Sequence, residues 1–183
     1  MIETFNKESA RLQSLYNLIG DELVSFNKTF GGDSESTDFS RRCLYRTLFS
    51  IIEAHISHLK ASALLFTIDQ PNFFSESEVL ALQNLESFIT DKGEVCTRPA
   101  RIRLKDNLRL AFRSFGRSQD RHFEVDYSTP GGTAFTSAIK IRDRITHPKD
   151  PNDWIIDEAG ARLVLEAWSW FGELLVEVSS NNG

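Results

Sequence analysis

At 183 residues, 40% hydrophobic and 26% charged, the chain has the length for a single domain with a full hydrophobic core, and its balance excludes the disordered and fibrous classes. No window approaches the roughly 18 uncharged apolar residues of a membrane span, and the start lacks the basic, apolar layout of a signal peptide. A cytoplasmic protein with no membrane partner is therefore expected. The net charge of -5 is unevenly spread: between Arg98 and Lys149 twelve Lys+Arg face five Asp+Glu, a local +7 that leaves -12 for the remainder. Such asymmetry points to a localised basic surface on an otherwise acidic body, and so leaves a nucleic-acid partner open despite the net charge.

Phe5, Leu12, Leu15, Tyr16, Ile19, Leu23 and Phe26 recur at helical spacing and predict an amphipathic first helix over 1–28. A Gly/Ser/Asp linker follows, with Ser36, Thr37 or Asp38 as candidate caps for a long central helix over 39–66. Tyr45, Phe49, Ile52, Ile56, Leu59, Ala63 and Phe66 form its apolar face. The other side carries Arg46, Ser50, Glu53, Ser57 and Lys60, either a solvated stripe or the wall of a site. His55 and His58 stand at i, i+3, but without a carboxylate-histidine motif on another helix the pair is a weak metal signal, and no metal or cofactor is expected. Cys43 and Cys96 form no C-x-x-C pair and are assigned as reduced, structural thiols.

After a Pro-Asn turn, Ser75 or Ser77 is placed to cap a helix carrying Val79, Leu82, Leu85, Phe88 and Ile89, ended by Asp91 to Gly93. A basic helix is expected over 99–119, opened by Pro99. Its Arg101, Lys105, Arg109 and Arg113, continued by Arg117 and Arg121, fall at four-residue steps and form a slowly turning ridge. That ridge suits a phosphate backbone; equally, such cations pair with acidic neighbours and cover apolar surface. The P-G-G at 130–132 lacks the Lys and Ser/Thr of a phosphate loop. Thr133 or a nearby glycine opens a helix over 133–147. Asp157 caps a closing helix over 158–178, with Val164, Ala167, Trp168, Phe171, Leu174, Leu175 and Val178 inward and Trp170 off that face, a hint of a partner surface. The expected fold is an all-α single domain, a bundle of about six helices.

The helix over 133–147 ends in R-D-R-I-T-H-P, where Pro148 biases His147 away from helical geometry. Cleaving RNA needs little protein machinery, because the 2′-hydroxyl beside the scissile phosphate is already a nucleophile. A histidine, with an ordinary pKa of about 6.5, can move protons to and from the reacting oxygens, and an arginine fork can hold the non-bridging oxygens as charge builds on them. Asp143, four residues before His147, is placed to accept a ring N–H and fix the tautomer. The same residues also describe a well-capped helix end and a surface pair.

R-D-R-I-T-H, Arg142 to His147, resembles the R-x4-6-H motif of HEPN domains, the α-helical family of prokaryotic toxin, phage-defence and CRISPR-associated ribonucleases. The long earlier helix, the late position of the motif and the following H-P fit that resemblance. It implies a homodimer whose two motifs line one RNA cleft, cleavage without a metal, Arg142 and His147 as the reacting pair, Asp143 orienting and Glu53 in support. Lys140, Arg144 and Lys149, with Arg109 and Arg113, would belong to the RNA-binding zone. Where many family toxins with nucleotidyltransferase antitoxins carry a tyrosine, two residues after the histidine, this chain has Lys149, which puts that antitoxin partnership in doubt. Some members of the family are inactive, so a non-catalytic module binding RNA, a nucleotide or a protein is the alternative.

Overall fold

The computed structural model describes residues 38–70 and 72–180, preceded by Lys7, Ala10, Gln13, Ser14, Asn17, Asp21 and Val24, all helical. The first helix expected over 1–28 otherwise lies outside the described residues, as do Ser36 and Thr37. The described chain is mostly helical: α1 (Asp38–Asp69), α2 (Glu76–Leu82), a hairpin of β1 (Leu85–Ile89) and β2 (Val95–Pro99), α3 (Leu104–Ser118), α4 (Pro130–Thr146), a 3-10 turn (Pro151–Trp154) and α5 (Glu158–Ser179).

This is in rough accord with the all-α expectation, but a small hairpin stands where part of a helix was expected. Leu85, Phe88 and Ile89 mimic helical spacing, yet α2 stops at Leu82, because Asn84 turns into the left-handed region at φ 58. The chain then pairs Leu85 with Pro99 and Ile89 with Val95, antiparallel. Asp91 to Gly93 is the turn between strands rather than a helix end, with Gly93 at φ 78, a conformation a Cβ would disfavour. Pro99 accordingly closes a strand, where its missing N–H is tolerated, and the basic helix starts later than expected, at Leu104.

Two compact units make up the chain, one containing 55–125 and the other 13–54 and 126–183. Helix α1 contributes to both. In the first unit Ala63, Phe74 and Leu82 are buried, with Leu64, Phe73, Val79 and Leu110 against them, and Phe66, Phe73 and Phe74 meet edge to face. Ser75 caps α2 in a capping box with Glu78. Lys60, on the stripe read as either solvated or the wall of a site, is 1% exposed. Its Nζ donates to Asn84 Oδ1 at 2.6 Å and to Asn107 Oδ1 at 2.8 Å, two neutral acceptors from the turn before β1 and from α3. Burial pulls its pKa from 10.5 to about 8.

In the second unit α4 packs along α5, and Phe49, Tyr127, Phe135 and Trp170 form one aromatic group with ring centroids 5.2 to 6.2 Å apart. Helix α4 begins earlier than expected: Thr129 is its cap, accepting from the Gly132 N–H at 3.1 Å, and Pro130 occupies the first turn. The glycines serve packing. A Cβ at Gly131 would stand 2.5 Å from Trp170 Cβ, and one at Gly132 would stand 2.6 Å from Tyr127 Cα. That close approach buries Trp170, which is therefore core and not the partner surface the periodicity suggested. Asp157 caps α5 as expected, accepting from the Gly160 N–H at 2.7 Å.

Candidate functional site

Everything in the R-D-R-I-T-H stretch lies in the second unit. Helix α4 ends at Thr146, and His147 is its C-cap at φ -128 and ψ 61, its backbone N–H donating to Asp143 O at 2.9 Å. Thr146 Oγ1 donates to the Arg142 carbonyl at 2.7 Å. Past Pro148 the chain closes a small cap. Asp153 Oδ2 accepts the backbone N–H groups of Lys149 at 2.8 Å and Asp150 at 3.1 Å, and Asp150 Oδ1 accepts from Asn152. The Lys149 N–H, then that of Asp150 and the charges of Arg144 and Lys149, hold the Asp153 carboxyl below its usual range.

Arg142 is the centre of the site. Its side chain is 31% exposed and forked: one terminal nitrogen donates to Glu53 on α1 at 2.6 Å, the other to Asp143 at 3.0 Å. Glu53 thus stands where a supporting role was expected. Asp143 does not: its carboxylate holds Arg142, and His147 meets Asp143 through the backbone alone in the hydrogen bonds described. The correction has a simple cause. An arginine fork beside a carboxylate offers a charge-assisted donor pair, which outcompetes a single ring N–H one turn away. His147 is exposed, and so are Lys140, Arg144 and Lys149.

Arg144 donates to Ile155 O at 2.8 Å and so ties the segment after the 3-10 turn back to the last turn of α4. Helix α1 secures the same segment from its first turns: Arg41 donates to Ile156 O at 2.7 Å, Arg42 to Trp154 O at 2.9 Å and the buried Tyr45 hydroxyl to Gly160 O at 2.7 Å. Burial raises the Tyr45 pKa, against the pull of the Arg144 charge. The guanidinium carbons of Arg42 and Arg46 stand 5.0 and 5.8 Å from the Trp154 ring centroid. Trp154 and Arg42 were missed from sequence, and Arg46 was placed on the polar stripe without this partner. The available signal was R-R-C-L-Y-R opening one helix and a lone tryptophan closing P-K-D-P-N-D-W.

Arg109 and Arg113, the other predicted RNA contacts, are exposed on α3 in the first unit. The ridge they belong to is not uniform. Arg117 pairs with Glu78, donates to Phe73 O at 3.3 Å and lies over the rings of Phe73 and Phe74, so it holds the core rather than a ligand. The Ser75 backbone N–H, then Arg117, lower the Glu78 pKa. His55 is buried, and the His58 pKa is lowered by burial and by His55. Among the described residues no group of three or more His, Cys, Asp or Glu could hold a metal ion, and no helix is long and apolar enough to cross a membrane.

No protein-family model matches the chain, and no curated protein or solved structure is significantly similar to it.

Proposed function

We propose that the protein is a metal-independent endoribonuclease of HEPN type, acting as a homodimer. The observation that carries this reading is Arg142, fixed by Glu53 of the long helix one residue before Asp143 and five before an exposed histidine at the helix end. In the reaction the 2′-hydroxyl oxygen attacks the adjacent phosphorus, the P–O5′ bond breaks, and the products are a 2′,3′-cyclic phosphate and a 5′-hydroxyl. One imidazole takes the 2′-hydroxyl proton, a second delivers a proton to the departing 5′-oxygen, and the arginine forks stabilise the charged phosphorane.

The second copy is what the HEPN resemblance implies, and the motif's spacing is compatible with it. Five residues carry the chain about 140° past a full turn, so Arg142 and His147 of one chain do not stack on one face. Two motifs facing each other supply both proton roles and both forks. The test is incubation of the purified protein with single-stranded and structured RNA in EDTA. Cleavage that disappears in His147→Ala and in Arg142→Ala supports the reading; no cleavage, or cleavage indifferent to His147→Ala, sinks it.

One observation favours a second reading, a non-catalytic module that binds RNA. Arg142 already faces two carboxylates, Glu53 and Asp143, which compensate its charge and compete with a phosphate for its donors. That module shows salt-sensitive RNA binding, weakened by Arg109→Glu or Arg113→Glu, with no turnover.

A further inference from the structure

The second unit holds an aromatic and cationic surface that the cleavage chemistry does not use. Trp154 is 41% exposed although its neighbour Ile156 is fully buried, so an indole is presented where the chain had the means to bury it. Arg42 and Arg46 come from consecutive turns of α1 and so approach the ring from the helix side. Pinning the loop does not require this ring, because Arg41, Arg42 and Arg144 already hold residues 154–156 through backbone carbonyls. Arg46 is exposed, and among the described residues neither it nor Arg42 forms an ion pair with a carboxylate. This contrasts with Arg142 and its two acidic partners.

We infer that Trp154, Arg42 and Arg46 form a subsite for one unpaired base of single-stranded RNA, the base stacked on the exposed indole and its phosphate held by Arg46. The choice of RNA as ligand rests on the reading of Arg142 and His147 above. A π-face flanked by guanidiniums is the combination that takes up unstacked bases with their phosphates. Position supports it. Arg46 and Glu53 are two helical turns apart on one face of α1, about 10 Å, so the platform lies within a short stretch of single strand from Arg142. Arg144 couples the two places directly, rising from the motif and ending on Ile155 O.

The experiment uses the whole protein and a 2′-O-methyl oligoadenylate, which lacks the free 2′-hydroxyl and stays intact, beside an abasic 2′-O-methyl oligomer of the same length. The protein should bind the base-bearing oligomer about tenfold more tightly than the abasic one, with quenched tryptophan fluorescence. Trp154→Ala should erase most of that preference and Trp154→Phe keep most of it. Arg46→Gln should weaken both oligomers and lower the salt slope by about one. Thermal melting identifies a variant that fails to fold, and the Phe and Gln variants then decide alone. The subsite is overturned by a preference that survives in folded Trp154→Ala, by an abasic oligomer that binds the native protein equally well, or by an acidic peptide of matched charge that displaces the oligoadenylate as well as RNA does. Cleavage of unmodified RNA separates the two proposals. Base-dependent binding without cleavage defeats the ribonuclease alone, whereas cleavage with unchanged KM in Trp154→Ala defeats the subsite alone.

Discussion

Glu53 and Lys60 stand two turns apart on one polar stripe of α1, and the fold treats them in opposite ways. Glu53 is 46% exposed and meets a full positive charge on Arg142. Lys60 is sealed from water and, among the described residues, donates to the amide oxygens of Asn84 and Asn107. The first arrangement costs little to rearrange, since exposed ion pairs contribute only about 0 to 1 kcal/mol, and it leaves the guanidinium able to change partners. The second is the more rigid, because the buried ammonium has no water to turn to and is held to the turn before β1 and to α3. One helix thus holds an exchangeable ion pair at Glu53 and a sealed cation at Lys60.

The largest effect tests the exposed side of the comparison. His147→Ala should reduce RNA cleavage about a hundredfold or more with little change in melting temperature, measured by product analysis and thermal unfolding. Next comes the buried position: Lys60→Ala should destabilise the protein by about 2 kcal/mol in urea titration, from the lost buried stem and the two lost hydrogen bonds, without altering cleavage by the folded fraction. Glu53→Gln should change stability by less than about 1 kcal/mol and cleavage by more than that, since it releases Arg142. If it destabilises as much as Lys60→Ala does, the contrast between the two positions is lost.

The pH dependence sharpens the comparison further. With the Lys60 pKa at about 8 in the folded state and 10.5 unfolded, the unfolded chain binds more protons between those values. Stability from this site therefore rises as pH climbs through that window, and the cost of burying the ammonium is present in full below it. Urea unfolding at about pH 7 and about pH 10 should show the native protein gaining on Lys60→Met. The smallest expected effect is a few-fold loss of RNA affinity in Arg113→Glu, larger at low salt, with no change in melting temperature.

Much of this is legible in the residues. The long helix, the closing helix and the caps Ser75 and Asp157 follow from periodicity and capping chemistry, whereas the expectation of Glu53 beside Arg142 came from the HEPN resemblance and not from the stripe. The failures share one cause: periodicity locates faces but not partners. Leu85, Phe88 and Ile89 fit a helix until Asn84 and Gly93 adopt positive φ and the run from Val95 offers a strand to pair with. Trp170 and Lys60 each lie off the expected apolar face, and tertiary contacts from Gly131, Asn84 and Asn107 bury them. Asp143 lies one turn from His147 and next to Arg142, and spacing cannot say which attraction is stronger.

Gly132 sits at the opposite end of α4 from the motif, about 15 Å from Arg142 along the axis. The backbone of Asp126 and Tyr127 occupies the space where its side chain would go, and backbone cannot swing aside as a rotamer can. Any substitution there slides or tilts the helix, and the arginine and histidine at its far end move with it. A loss-of-function screen would therefore score position 132 together with Arg142 and His147. Only a measurement of helix placement, and not of activity, would tell the lever from the tip.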